Sequence, residues 1–148
     1  MIYVDSSVPL LALMEQTGGS EAAAALDEHR GEALRKVSSA LLDVEVSRAL
    51  RREGLDPALA DALLDSIDLV VIDDEVVQRA KALTGELKSL DAIHLATALM
   101  LDHPRDPVVL LTHDARLAEA ARAHGLEVID PAGQPRSEER RVGKECRS

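Results

Sequence analysis

Five short runs of branched aliphatic residues alternate along this chain with segments whose apolar positions recur at helical spacing, and few folds can accommodate that order. The runs are "IYVD", "KVSSA", "LVVID", "PVVLLTHD" and "LEVID". Helical segments lie between them: from Ser6 or Ser7 to Leu13, from a Ser20 cap to Gly31, from Leu41 to Gly54, and from an Asp56 cap with Pro57 in the first turn. The remaining three are "DEVVQRAKALTG", a helix capped by Ser89, and "ARLAEAARAHG" stopped by Gly125. Strands separated by helices cannot pair through tight hairpins, so the expectation is α/β, a three-layer sandwich. Its central parallel sheet would have about four to five short strands, with helices on both faces. "LVVID" reads as a buried strand.

In such sheets ligands bind beyond the carboxyl ends of the strands, where the winding reverses. Two acids occupy strand ends, Asp5 after "IYV" and Asp114 after "VVLLTH". Two more sit on helices where an acid is out of place. With Leu41 at the origin of a helical wheel, Glu45 falls at roughly 40°, inside an arc that runs through Ala49 and Leu42 to Val46 at roughly 140°. Asp43, Ser47 and Arg51 take the opposite, wet face. Asp91 shares a stripe with Leu95 and Ala98 on a helix with almost no polar side. Each acid also has a plain structural explanation. Asp5, Asp91 and Asp114 suit helix N-termini, and Glu45 could pair with Arg48 one turn on. The conjunction favours a site, because all four can converge on one edge of the sheet.

Converging carboxylates repel one another, and at least one pKa rises unless a cation fills the space. An all-oxygen donor set suits Mg²⁺ or Mn²⁺ rather than zinc, which points to phosphoryl chemistry with a water nucleophile. Around the acids, Thr112 and Ser6 are expected to hydrogen-bond a carboxylate, with Ser6 or Ser7 holding Asp5. Arg48, Lys88 and Arg116 lie within a turn of an acid and are candidates for steering RNA phosphates. His94 reads as a hydrogen-bonded core histidine, and His113 as structural.

The 148 residues, 46% hydrophobic, suffice for one domain, expected over residues 1–131. Tyr3 is the only aromatic residue of the Phe, Tyr and Trp class, so base stacking on exposed rings is not the expected mode of binding. No apolar run reaches membrane-spanning length, and no secretory leader precedes "MIYVD", so a cytoplasmic protein with no membrane partner is expected. Residues 132–148 form a tail expected to be disordered. From Arg136, the first eleven residues of "RSEERRVGKECRS" read as an in-frame translation of a sequencing adapter, in which AGA TCG GAA GAG CGT CGT encodes Arg-Ser-Glu-Glu-Arg-Arg. It is set aside from fold reasoning; a disordered basic tail is the alternative. The formal charge of −10 becomes −12 without it, and the only cysteine, Cys146, goes with it. An acidic domain without cysteine disfavours disulfide and thiolate chemistry, and disfavours nucleic-acid binding by general basicity.

The stretches "IYVDSS", "LLDVEVSRAL", "SLDAIHLATAL" and "LLTHDARLAEAARAHGLEVI" together resemble the PIN-domain ribonucleases, in particular the VapC-type toxins of toxin–antitoxin pairs. The resemblance runs from Ile2 to about Pro131, and "SLDAIHLATA" followed by "THDARL" carries most of its specificity. It implies a PIN-like sandwich, with Asp5, Glu45, Asp91 and Asp114 as catalytic, metal-binding acids. It also implies Mg²⁺- or Mn²⁺-dependent cleavage of RNA, a homodimer, and neutralisation by a small cognate antitoxin that carries a DNA-binding domain. Two other classes fit less well. A haloacid-dehalogenase-type phosphatase needs a second acid where Ser7 stands. A receiver-like module would use Asp73 and Asp74 with a later lysine, and none follows "VVLLTHD" before the tail. A catalytically inert PIN-type binding module would have no need of all four acids.

Overall fold

The computed structural model describes residues 1–28 and 34–133, with the side chain of residue 28 left aside. The expected helix stop at Gly31 and the tail from Arg136, including its reading as adapter sequence, lie outside the described residues. In chain order the elements are β1 (Ile2–Val4), α1 (Ser7–Leu13), α2 (Gly19–Glu28), β2 (Lys36–Ser39), α3 (Leu41–Arg52) and α4 (Ala58–Leu64). They continue with β3 (Asp68–Val70), α5 (Asp74–Ala82), α6 (Ser89–Leu101), β4 (Val109–Leu111), α7 (Ala115–Ala123) and β5 (Glu127–Ile129). The strands form one five-stranded sheet in the order β3-β2-β1-β4-β5, every pair parallel. This is the expected α/β sandwich.

Side-chain alternation along the strands divides the core. Ile2, Val4 and Leu111 face one layer, where they pack with Val8 and Leu11 of α1, Leu26 of α2, and Leu42, Val46 and Leu50 of α3. Tyr3, Val37 and Leu110 face the other, against Leu95 and Ala98 of α6 and Leu117 and Ala121 of α7. Each fully buried Leu or Val contributes about 1.5–3 kcal/mol over leaving it in water. With so few aromatics, the core is built from many such side chains rather than a few large ones. Helix ends follow the expected chemistry at Gly54 and Gly125, whose positive φ lets the chain reverse. There the next residues, Leu55 and Leu126, donate back to Leu50 and Ala121, closing both helices.

Four expectations about elements need correction. The strand read as buried, β3, is the sheet edge. Leu69 is 37% exposed and Val71, just beyond the strand, is 70% exposed. An apolar run has the same appearance whether neighbours cover both faces or one, and only strand order decides. Ser89 is the first residue of α6 rather than its cap; Lys88 takes the cap position in an extended conformation and makes no side-chain capping bond. Helix α2 likewise starts at Gly19, which puts Ser20 inside its first turn rather than at the cap. Helix α4 starts at Ala58, so Pro57 takes the cap position and Asp56, just before it, accepts from Ala58 N–H.

Candidate active site

The order β3-β2-β1-β4-β5 reverses the winding between β1 and β4. Chains leaving those two strands turn in opposite directions, which opens a crevice at their carboxyl ends. Asp5 and Asp114 are the acids that follow these strands.

Asp5 lies on the Tyr3 side of β1 and is 2% exposed. A carboxylate removed from water needs donors. Its Oδ2 accepts from Ser7 Oγ at 2.6 Å, Thr112 Oγ1 at 2.9 Å and the Ser7 backbone N–H at 3.3 Å. The two hydroxyls also accept from the backbone after β4, Ser7 Oγ from His113 N–H and Thr112 Oγ1 from Asp114 N–H. One network therefore ties the ends of both strands together. Ser7, and not Ser6, holds Asp5. Ser6 Oγ instead donates to Glu45 Oε2 at 3.1 Å, because the first turn of α1 points successive side chains in different directions.

Glu45 occupies the apolar arc of α3, half-buried between buried Leu41, Leu42, Val46 and Ala49. Its partner is not Arg48, which is exposed. Glu45 Oε1 lies 2.5 Å from Nε2 of His94, a fully buried residue of α6. On the other side of the imidazole, Nδ1 is 2.8 Å from the Tyr3 hydroxyl, which itself accepts from Ser39 N–H. With that lone pair used, the Tyr3 proton is free to go to Nδ1, leaving Nε2–H to donate to Glu45. Burial works to lower the His94 pKa. The Glu45 hydrogen bond and the charges of Asp5, Glu45 and Asp91 outweigh it, so the net shift is upward. Burial also pushes the Tyr3 phenol well up, keeping it a neutral donor. Because α3 belongs to one core layer and α6 to the other, the Tyr3–His94–Glu45 chain joins the two layers at the crevice.

Asp91 and Asp114 form the outer wall. Asp114 is the N-cap of α7, its Oδ1 accepting from Arg116 N–H at 2.9 Å and Leu117 N–H at 3.2 Å. Capping and presence at the crevice are thus compatible, since Oδ2 makes no such bond among the described residues. Asp91 is half-buried in the first turn of α6. Burial, then the negative charges of Asp114 and Asp5, push its carboxyl up to about 6, with His94 opposing and Glu45 adding to the rise. A cavity of about 240 Å³ is lined by Glu86, Leu87, Lys88, Asp91, Asp114 and Arg116. Lys88 and Arg116 therefore stand at the crevice, whereas Arg48 does not line this cavity. Asp73 and Asp74 are elsewhere, beyond edge strand β3, where Asp73 caps α5 through Val76 N–H. That position does not suit a receiver's phosphoacceptor. His113 is held by Asp130, Nδ1 to Oδ1 at 2.9 Å.

Among the described residues, no group of three His, Cys, Asp or Glu side chains is already gathered as a ligand shell. Several oxygens are turned toward local donors instead. The donor set nevertheless suits a hard divalent cation. Asp5 Oδ1, Asp114 Oδ2 and the Asp91 carboxylate make no hydrogen bond among the described residues, and the rise at Asp91 comes first from burial and then from the nearby negative charges of Asp114 and Asp5. Tyr3 is the residue that sequence reasoning left out of the site; Ser7 stood there as the alternative to Ser6, and His94 is the hydrogen-bonded core histidine expected, with partners the sequence did not name. His94, one turn after Asp91 on a helix with no polar face, carried the one signal that could have drawn attention.

The PIN domain family model matches residues 2–129. Ribonuclease VapC35 of Mycobacterium tuberculosis is 42% identical over 140 residues, covering 92% of this chain and all of that protein. Ribonuclease VapC46 of the same organism is 39% identical over 134 residues, covering 88% of this chain and 98% of the relative. Among solved structures, a toxin–antitoxin complex from Klebsiella pneumoniae contains a chain with TM-score 0.64 and 24% identity, covering 88% of this chain and 98% of its own, a likeness of fold. With its parallel sheet, its match over nearly the whole described length and relatives at this identity, the chain belongs to the PIN-domain family, in its VapC branch.

Proposed function

We propose that this protein is a metal-dependent endoribonuclease, the toxin of a toxin–antitoxin pair, acting on RNA in the cytoplasm. What supports the reading is that Asp5, Glu45 and Asp114, from three other parts of the chain, all lie close enough to Asp91, near the switch point between β1 and β4, to push its carboxyl up. The names of the VapC relatives support the ribonuclease assignment. Asp5 and Asp91 are the primary ligands in this reading, with Glu45 and Asp114 beside them holding Mg²⁺ or Mn²⁺. When bound, the cation supplies positive charge to a water nucleophile and to the departing oxygen of the phosphodiester. The chain's own groups do the rest. Ser7 and Thr112 fix Asp5, Ser6 and His94 fix Glu45, and Lys88 and Arg116 draw the RNA backbone toward an otherwise acidic crevice. The partners in this reading are RNA, a second copy of the chain, and a small cognate antitoxin with a DNA-binding domain.

Expression of the intact chain without an antitoxin is expected to slow growth, and Asp5→Ala to relieve it. Equal toxicity of the variant would refute the mechanism. Purified protein should cut RNA with Mg²⁺ or Mn²⁺ and stop on chelation, and sequencing the new RNA ends would identify the substrate. The described residues contain no helix long and apolar enough to cross a membrane.

A further inference from the structure

A second cavity of about 440 Å³ adjoins the acidic crevice, and the two share Glu86, Leu87 and Arg116 in their walls. Its size lies within the range of small-molecule sites, about 300–1,000 Å³. The floor is apolar, formed by Leu87 and by Ala120 and Ala123 of α7, one turn apart on the same face of the helix. Arg116 stands at the mouth common to both cavities. His124, two turns farther along α7 at its C-terminal end, forms the far wall.

We propose that this cavity is a nucleotide subsite, which holds one unstacked base of the RNA strand next to the phosphodiester being cut. The inference rests on the ribonuclease reading above and adds to it a determinant of sequence preference. Single-stranded RNA is recognised by splaying bases onto aromatic or histidine rings and Arg guanidinium planes. This chain has no Trp or Phe, and Tyr3 is fully buried, so that task falls to histidine and arginine. Among the four described histidines, His94 is buried, His113 is tied to Asp130, and His103 is exposed but lines neither cavity, its Nδ1 accepting from Arg105 N–H, while His124 is exposed and lines the second cavity. The Arg116 guanidinium has no ion-pair partner among the described residues and is placed to take the phosphate that links the base to the scissile one.

The lining also indicates which bases fit. His124 Nδ1 lies 2.8 Å from the Ala120 carbonyl oxygen, which can only accept, so in the neutral ring Nε2 is left as an acceptor. Glu86 and Glu119 add carboxylate acceptors at the rim. An acceptor-rich rim favours bases with an exocyclic amino group, adenine, cytosine or guanine, over uracil.

The test uses the full-length protein with Mn²⁺, the variants Ala123→Leu and His124→Ala, and two substrates. One is cellular RNA, read by sequencing the cut ends and by KM on a defined oligonucleotide. The other is bis(p-nitrophenyl) phosphate, which has no ribose, no second phosphate for Arg116 and no base edge for the cavity to read. Both variants should lose roughly 5- to 100-fold in kcat/KM on RNA, chiefly through KM, the range seen when a base loses a stacking partner. Both should flatten the amino-base preference at one position flanking the cut, while turnover of the small phosphodiester stays within twofold. An unchanged end profile and KM in both variants would overturn the subsite. So would parallel loss of small-substrate turnover in both, since the cavity would then belong to the catalytic machinery. If the unmodified protein cuts neither substrate, the ribonuclease reading itself fails, and the subsite falls with it.

Discussion

On the β1 side of the crevice, three of the four carboxylate oxygens of Asp5 and Glu45 are met by donors from Ser6, Ser7, His94 or Thr112. On the α6–α7 side, Asp91 has no hydrogen bond among the described residues, and its carboxyl is pushed up to about 6. Both walls take acids at least partly out of water, and they manage the cost in different ways. The inner wall neutralises its charge with fixed dipoles and so holds its geometry without help. The outer wall leaves the Asp91 charge without a hydrogen-bond donor among the described residues, and in the proposed function a cation takes it up. The inner acids are therefore expected to matter for stability as well as activity, and Asp91 to set the two against each other.

The largest effect expected follows from removing that uncompensated charge. Asp91→Asn should abolish RNA cleavage while making the cation-free protein more stable. The sign follows from linkage. The unfolded carboxyl ionises near its ordinary value and the folded one at about 6, so the folded state holds the extra proton between them. Stability is lost as pH rises through that window and stays lost above it. Thermal or urea unfolding in chelator should show no gain for the variant near pH 4 and a gain of about 1 kcal/mol at pH 7, after allowance for solvent screening of a half-exposed group. A destabilised variant at pH 7 would break the contrast between the walls.

Thr112→Val probes the inner wall. It removes a donor to a buried carboxylate and also the acceptor for Asp114 N–H. A loss of about 1–3 kcal/mol of stability and about 10- to 100-fold of activity or metal affinity is expected from unfolding and Mn²⁺ titrations. Activity lost with stability intact would mean that Asp5 is held by something else. A pH profile sharpens the comparison further. If Asp91 is a ligand as proposed, its carboxyl must be ionised to bind a cation, so Mn²⁺ affinity measured by calorimetry should fall as pH drops through about 6. In Thr112→Val, affinity should be lower at every pH, but the midpoint should stay where it was. The smallest effect is expected at the rim, where Lys88→Ala and Arg116→Ala should each weaken RNA cleavage a few-fold at low salt and less at high salt, as exposed charges do.

The alternation of strand and helix, the inward face of Glu45 and the stripe shared by Asp91 and Leu95 were all legible from the amino-acid order. Each depends on periodicity within one element, which the backbone geometry of that element sets by itself. Helix stops at Gly54 and Gly125 were legible for the same reason. Tertiary packing decided which strands are neighbours. Only the placement of β1 between β2 and β4 brings Asp5 and Asp114 to one crevice and leaves β3 exposed at the edge. Packing also chose partners: Ser7 rather than Ser6 for Asp5, and His94 rather than Arg48 for Glu45. A side chain's local sequence determines which way it points, but its hydrogen-bond partner comes from whatever distant segment the core packs against it. That is why His94, ordinary in a list of helix residues, becomes the buried link between Tyr3 and Glu45 once α6 lies on the sheet.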